Sequence, residues 1–299
     1  MEASQEKSDL VVDKLASQPP DLSRRDLLRS LTALAVSSAL SGCDLSNRET
    51  KRKAEDKKVG EVEIKGQKVE VRETTLPGMD KPIFYLVKGG YLYEKDLSKG
   101  DYKSVQNLMH SWEEDFGPGV GTFNPAEDYK DNCHAATFKR SGLEGFPVHA
   151  WLGRLSPKED VQKYNQQYGD PVISILKQLF EEREKDITIP FTQGMPPQIL
   201  GTALQAEFKR LSTKKPDLLR AGDVAVFWIK SPDTGLDDAF HSGVIEEVNG
   251  ELRLTSKLGE LPSVSLPLWY VAWFYLRSGR LLEMKIKLYE KKPTQGTEK

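Results

Sequence analysis

The sequence is poor in the residues that would mark several classes of protein. Its 299 residues include only two cysteines and four histidines, and 43 lysines and arginines stand against 45 aspartates and glutamates, a net charge of −2. Because positive and negative charges are nearly balanced, the composition indicates no basic surface that would attract nucleic acid. We therefore expect no nucleic-acid partner. The cysteines and histidines lack the spacing of a zinc site, so we predict neither a metal nor another cofactor. No apolar run reaches the ~20 residues of a membrane-spanning helix.

The N-terminal region carries three features in a fixed order. The apolar run 31–40, LTALAVSSAL, has the length of a signal-peptide core. Segment 23–28, SRRDLL, resembles the twin-arginine export motif, and segment 40–43, LSGC, resembles the lipobox of bacterial lipoproteins. We therefore predict a signal peptide over residues 1–43, lipidation of Cys43, and attachment to a membrane at the extracytoplasmic face of a bacterial cell envelope. The alternative is an amphipathic N-terminal helix with a chance match.

The rest of the chain divides by composition. Residues 44–60 are almost wholly polar and are predicted to be a flexible tether. Residues 61–290 have the length and apolar content of one folded domain, and residues 291–299 form a polar tail. Short β elements, then helices, then a β-rich half predict an α+β fold.

Local patterns place several elements within the domain. Alternating apolar and polar residues predict one hairpin around residues 65–68 and a second around Asn249-Gly250. Asp170-Pro171 is typical of a helix start. The aromatic segment 269–276 is predicted to be a strand whose rings belong to the core and the sheet surface. A platform for stacking sugars is the alternative for these rings.

Cys133 is the candidate nucleophile. It is the one cysteine that remains after Cys43 is assigned to the lipid, so the domain has no intramolecular disulfide. Asp131 or Asn132 is expected to cap a helix that begins near Cys133. A helix N-terminus lowers the pKa of a thiol and favours the nucleophilic thiolate. The alternative is an inert buried thiol, the common state of a lone cysteine.

His241 is the candidate base. It opens a predicted strand, and its imidazole would activate the thiol and then protonate a leaving amine. A third polar group should hold the imidazole in place. The strand after the Asn249-Gly250 turn lies beside the histidine strand, so Thr255 and Ser256 are the candidates. His134, next to Cys133, is expected on the helix surface near the cleft rather than as the base.

These residues resemble the papain-like cysteine hydrolases of the NlpC and CHAP type, which are cell-wall peptidases and amidases. In that family a cysteine begins a helix, a glycine-aspartate pair opens the first core strand, a histidine opens the next strand, and a polar residue follows on the third. The matching positions are Cys133, Gly222-Asp223, His241 and Ser256. The resemblance covers roughly residues 120–276. Cys133 and His241 are farther apart in the sequence than in a minimal domain of this type, so the resemblance implies a helical insertion near residues 155–215.

The resemblance implies a papain-like fold in which an antiparallel sheet packs on the nucleophile helix. It also implies Cys133 as nucleophile, His241 as base and Ser256 as the third catalytic residue. The implied reaction is hydrolysis of an amide bond in a peptidoglycan or envelope peptide. Two alternatives stay open: a non-catalytic, envelope-binding lipoprotein on the same fold, and a cysteine amidase with a substrate outside the cell wall.

Overall fold

The structure is a computed structural model, and part of the chain is described. The described residues are 56–64, 67–87, 99–121, 132–143, 145–146, 150–152, 167–189, 195–230, 237–258, 262–277 and 284–293. The predicted signal peptide, the lipidation site Cys43 and residues 44–55 of the predicted tether lie outside these ranges, as does Asp131.

The described residues form strands and helices in an α+β arrangement, which confirms the predicted class. The strands are β1 (Lys57–Ile64), β2 (Gln67–Thr74), β3 (Ile83–Val87), β4 (Ala150–Trp151), β5 (Phe180–Ile189), β6 (Val224–Lys230), β7 (Asp237–Val248), β8 (Glu251–Lys257), β9 (Ser263–Leu266) and β10 (Met284–Lys291). The helices are α1 (Lys99–Phe116), α2 (Cys133–Arg140), α3 (Pro171–Leu179), α4 (Pro197–Lys214) and α5 (Leu268–Leu276). None of these helices is both long and apolar enough to cross a membrane.

The strands belong to two antiparallel sheets. The smaller sheet has the order β1-β2-β3-β4, and the larger has the order β5-β10-β6-β7-β8-β9. Both predicted hairpins are confirmed, since β1 pairs with β2 and β7 pairs with β8. At the second turn Asn249 and Gly250 have φ of 53° and 80°. Consecutive positive φ values suit a tight hairpin turn, which explains the Asn-Gly sequence there.

Apolar cores cover both faces of the larger sheet. On one face, Phe227 and Ile245 pack with residues of α1, α4 and α5, and we call this the α5 face. On the other, Val226 and Val244 pack with residues of α2, α3 and β3, and we call this the α2 face. Because successive strand residues point to opposite faces, β6 carries apolar side chains at almost every position, from Val224 to Ile229.

Two helix starts follow the capping rules. The Asn132 side chain accepts a hydrogen bond of 3.0 Å from the backbone N–H of Ala135, so Asn132 caps α2. The Asp170 carboxylate accepts bonds from the backbone at Val172 and Ile173, and Pro171 follows in the first turn of α3. The predicted start of α3 is therefore confirmed, and of the two candidate caps for α2 the structure has Asn132.

Two predicted elements differ from the structure. Segment 269–276 is the helix α5 rather than a strand, because its nearly unbroken apolar sequence has no alternation and its residues pack with α4 and the sheet. Segment 155–215, predicted to be a helical insertion, contains α3 and α4 but also β5, which pairs with β10 at the edge of the larger sheet. The first strand begins at Lys57, within the segment predicted to be a tether.

Candidate functional site

The candidate site lies where the start of α2 meets β7. Cys133 is the first residue of α2, and the backbone N–H of Ser242 in β7 donates to its sulfur. The ladder between β7 and β8 ends at the pair Val244–Thr255, so Ser242 lies beyond the last β8 partner. The structure therefore brings the Cys133 sulfur to the residue that directly follows His241.

The electrostatics of the thiol contradict the expected lowered pKa. Burial raises the pKa of Cys133 to about 11, although the residue as a whole keeps some exposed surface. Backbone N–H groups of Ser242 and His134 and the positive charge of Lys257 act in the opposite direction. The helix start thus supplies the expected donors, but the loss of water outweighs them. At neutral pH the group is a thiol rather than a thiolate.

His241 is fully buried in an aromatic environment. Its ring centroid lies 5.3 Å from that of Phe227 and 4.8 Å from that of Tyr275. Its Nδ1 is 3.1 Å from the Tyr275 hydroxyl, and its Nε2 has no hydrogen-bond partner among the described residues. Burial holds the imidazole pKa well below its usual value, so the ring is neutral.

Cys133 and His241 approach the sheet from different sides. The Ser242 hydroxyl points to the α2 face, where it contacts His134, whereas the His241 ring contacts Phe227 and Tyr275 on the α5 face. Within the part of the chain that the structure covers, no hydrogen bond joins the sulfur to the imidazole. The predicted nucleophile and base are thus neighbours along β7 but are not in a hydrogen-bonded pair.

His134 faces the sheet rather than the helix surface near a cleft. It is 3 % exposed, with Nδ1 2.9 Å from the Ser242 hydroxyl and Nε2 3.1 Å from the Ala239 carbonyl oxygen. Since a carbonyl only accepts, Nε2 carries the proton and donates it. Burial lowers the pKa of His134 to about 4. Both nitrogens are engaged, so His134 anchors α2 to β7 and has no free nitrogen to serve as a base.

Ser256 does not hold the imidazole. It is 4 % exposed, and its hydroxyl has no hydrogen-bond partner among the residues described. It lies beside Gly243, where an added Cβ would come within 2.7 Å of the Ser256 Cβ. Thr255, the other candidate, bonds Glu246 and Ser265 instead. The glycine in the His-Ser-Gly sequence is therefore required by the close approach of β7 and β8.

Tyr275 makes the contact with the His241 imidazole that the sequence analysis predicted for Ser256 or Thr255. Its hydroxyl contacts Nδ1 of His241, and its ring packs edge-on against Phe240 at 4.7 Å. Sequence reasoning missed it because segment 269–276 was interpreted as a strand with core aromatics. Nothing in the local sequence identifies Tyr275, because its partner is 34 residues away.

Gly222-Asp223 has a structural role here. The Asp223 carboxylate, 3 % exposed, forms an ion pair with Arg183 of β5 and accepts the backbone N–H of Arg220. Gly222 has φ of 94° and donates its N–H to the Ile245 carbonyl at 2.8 Å. The pair therefore fastens the start of β6 to β5 and β7.

No known protein family, curated protein or solved structure matches this chain. The resemblance to papain-like hydrolases thus rests on the quoted residues alone. Across the described ranges, no group of histidines, cysteines and carboxylates has the geometry of a metal site.

Proposed function

We propose that the protein is a lipid-anchored cysteine hydrolase of the bacterial cell envelope, with a papain-like arrangement of Cys133 and His241. The observation that carries the proposal is the state of His241. Its Nδ1 is engaged by Tyr275 while its buried Nε2 has no partner, and the next residue donates its N–H to the Cys133 sulfur. Buried polar atoms without partners are uncommon in folded proteins, and a catalytic role is one of the reasons for them.

The proposed reaction starts from a neutral thiol and a neutral imidazole. As the Cys133 sulfur attacks the carbonyl carbon of the amide, Nε2 of His241 takes the thiol proton. The resulting imidazolium gives that proton to the leaving amine, and a thioester remains on Cys133. Water then attacks the thioester, with His241 as base, and releases the acid. Backbone N–H groups at the start of α2 are positioned to stabilise the negative oxygen of the intermediate.

The mechanism requires the sulfur and the imidazole, which approach the sheet from different faces in the free protein, to come together when the substrate binds. Catalytic hydrogen bonds are often long or misaligned without substrate and form in the Michaelis complex. A neutral pair also fits the electrostatics, because burial opposes both charged forms. By the resemblance, the substrate is an amide in a peptidoglycan or envelope peptide.

A second candidate is a non-catalytic envelope protein that binds such peptides on the same scaffold. One observation favours it: the His241 ring packs between Phe227 and Tyr275 on the α5 face, whereas the Cys133 sulfur approaches the sheet from the α2 face. In this case Cys133 is a structural thiol that fills the junction of α2 and β7.

Incubation of the full-length protein in detergent with purified peptidoglycan separates the two candidates. The hydrolase predicts peptide fragments in the mass spectrum that disappear with Cys133→Ala and with His241→Gln. His110→Gln is the matched control, because His110 is exposed on α1, with its Nε2 3.4 Å from a carboxylate oxygen of Glu114. Co-sedimentation with peptidoglycan but no fragments from the wild type would support the binding protein instead.

A further inference from the structure

The contact between His241 and Tyr275 has a chemical consequence beyond packing. A neutral imidazole has one nitrogen that donates and one that accepts, and the hydrogen bond at one nitrogen decides which form the other takes. Nδ1 of His241 lies 3.1 Å from the Tyr275 hydroxyl, and Nε2 has no partner among the residues described. The direction of this single hydrogen bond therefore sets whether Nε2 can accept a proton.

The burial of the ring favours one direction. If Tyr275 donated to Nδ1, Nε2 would carry a proton and be a buried donor without an acceptor. If Nδ1–H donates to the Tyr275 oxygen, Nε2 is instead an acceptor. Orphaned buried donors are rarer than under-satisfied acceptors, as surveys of backbone groups show.

We infer that Tyr275 is a positioning residue that accepts Nδ1–H of His241 and so keeps Nε2 free as the base. The inference rests on the proposed hydrolase function, because only that function requires Nε2 of His241 to accept a proton. It gives α5 a role in the reaction, since Tyr275 reaches His241 from this helix. It also replaces Ser256, which does not contact the ring through a hydrogen bond, in the orienting role.

The ring of Tyr275 is held independently of its hydroxyl. It packs against Phe240 at 4.7 Å, against Phe274 at 5.4 Å and against the imidazole itself at 4.8 Å. Tyr275→Phe therefore removes the acceptor and keeps the packing. A neighbouring residue offers a matched control: Tyr270 on the same helix accepts a hydrogen bond of 2.9 Å from Trp112, far from the imidazole. Tyr270→Phe deletes a hydroxyl without touching His241.

The decisive measurement is nitrogen NMR of histidine-labelled, full-length protein in detergent. The chain has four histidines, and loss of signals in His241→Gln assigns His241. We expect wild-type His241 to carry its proton on Nδ1. Tyr275→Phe should shift it toward the Nε2-protonated form that an unconstrained imidazole prefers, and Tyr270→Phe should not. His134, whose Nε2–H donates to Ala239, is an internal reporter that the fold is intact.

A proton on Nε2 of wild-type His241, or an unchanged tautomer in Tyr275→Phe, would overturn the inference. The wild-type spectrum alone decides the first point, so a variant that fails to fold does not remove the test. If peptidoglycan is cleaved, Tyr275→Phe should lower kcat at least ~10-fold with little change in KM, since wrong-tautomer serine proteases lose up to ~10⁴-fold. If wild-type His241 carries its proton on Nδ1 but peptidoglycan is not cleaved, the hydrogen bond from Nδ1 to Tyr275 stands and the hydrolase proposal is rejected.

Discussion

The raised pKa of Cys133 makes stability at alkaline pH a direct test of the site. Burial moves the thiol pKa from 9.0 to about 11 in the folded state. Between these values the folded protein keeps the thiol proton while the unfolded chain has lost it. Stability therefore falls with rising pH, because the unfolded state binds fewer protons. The contribution is fully present below pH 9 and is lost as the pH rises through 11.

The magnitude follows from the shift. A rise of the pKa from 9.0 to about 11 corresponds to about 3 kcal/mol, lost progressively as the pH rises between these two values. Lysines and tyrosines also titrate in this range, so the wild type must be compared with Cys133→Ala. The quantity to plot is the difference in unfolding free energy between the two proteins, measured with denaturant from pH 7 to pH 11. It should be level to about pH 8 and then fall.

Two results would refute the reasoning. A difference that stays level to pH 11 would mean that the thiol is solvated and titrates normally. A difference that grows with pH would mean that the folded protein stabilises the thiolate, as the helix start alone suggested. Labelling gives an independent check: at pH 8 a thiol of pKa about 11 has ~10⁻³ of its population as thiolate, so iodoacetamide should react ~100-fold more slowly than with an unperturbed cysteine.

Three further substitutions test the scaffold and the anchor. Gly243→Ala should cost about 1–3 kcal/mol in denaturant unfolding, because its Cβ would come within 2.7 Å of Ser256 between β7 and β8. Arg183→Leu should cost about 3–5 kcal/mol, since it leaves the buried carboxylate of Asp223 unpaired. Cys43→Ala should move the protein from the membrane fraction to the soluble fraction, because no other predicted element attaches it to lipid.

Matched controls exist for the first two substitutions. Gly201→Ala in α4 meets only the Trp273 ring, at 3.4 Å, and should be neutral or stabilising because alanine favours a helix. Arg210→Leu removes an exposed ion pair with Glu207 and should show no comparable loss. Equal losses in control and test variants would contradict the structural reasons given, and Cys43→Ala that stays fully in the membrane fraction would contradict the lipid anchor.

Local sequence rules predicted the parts of the fold that depend on neighbouring residues. The Asn249-Gly250 hairpin, the Asp170-Pro171 helix start and the Asn132 cap each depend on backbone geometry within a few positions. The prediction of a strand over residues 269–276 was wrong, because its apolar sequence is compatible with either a strand or a helix. The packing of α5 against α4 determines that the segment is a helix. The strand β5 was missed because its partner β10 lies about 100 residues later.

The residues of the candidate site could be predicted from the sequence, but their ionisation states could not. A cysteine at a helix start and a histidine in a strand can be recognised from sequence, and the structure places them at adjacent points of one junction. Their ionisation depends on how much water the two faces of the sheet exclude, which no motif encodes. Backbone donors and Lys257 lower the pKa of the Cys133 thiol, but burial raises that pKa by more. The same burial keeps His241 uncharged.

A neutral pair changes what substrate binding must achieve. An ion pair would be ready to react in the free protein, whereas a neutral thiol reacts only when a base accepts its proton during attack. The base must then present an unprotonated nitrogen, and Tyr275 is the residue whose position decides that. The substrate must bring together the sulfur, which approaches from the α2 face, and Nε2, which lies on the α5 face. Activity should therefore be more sensitive to the α5 contact with His241 than to Ser256.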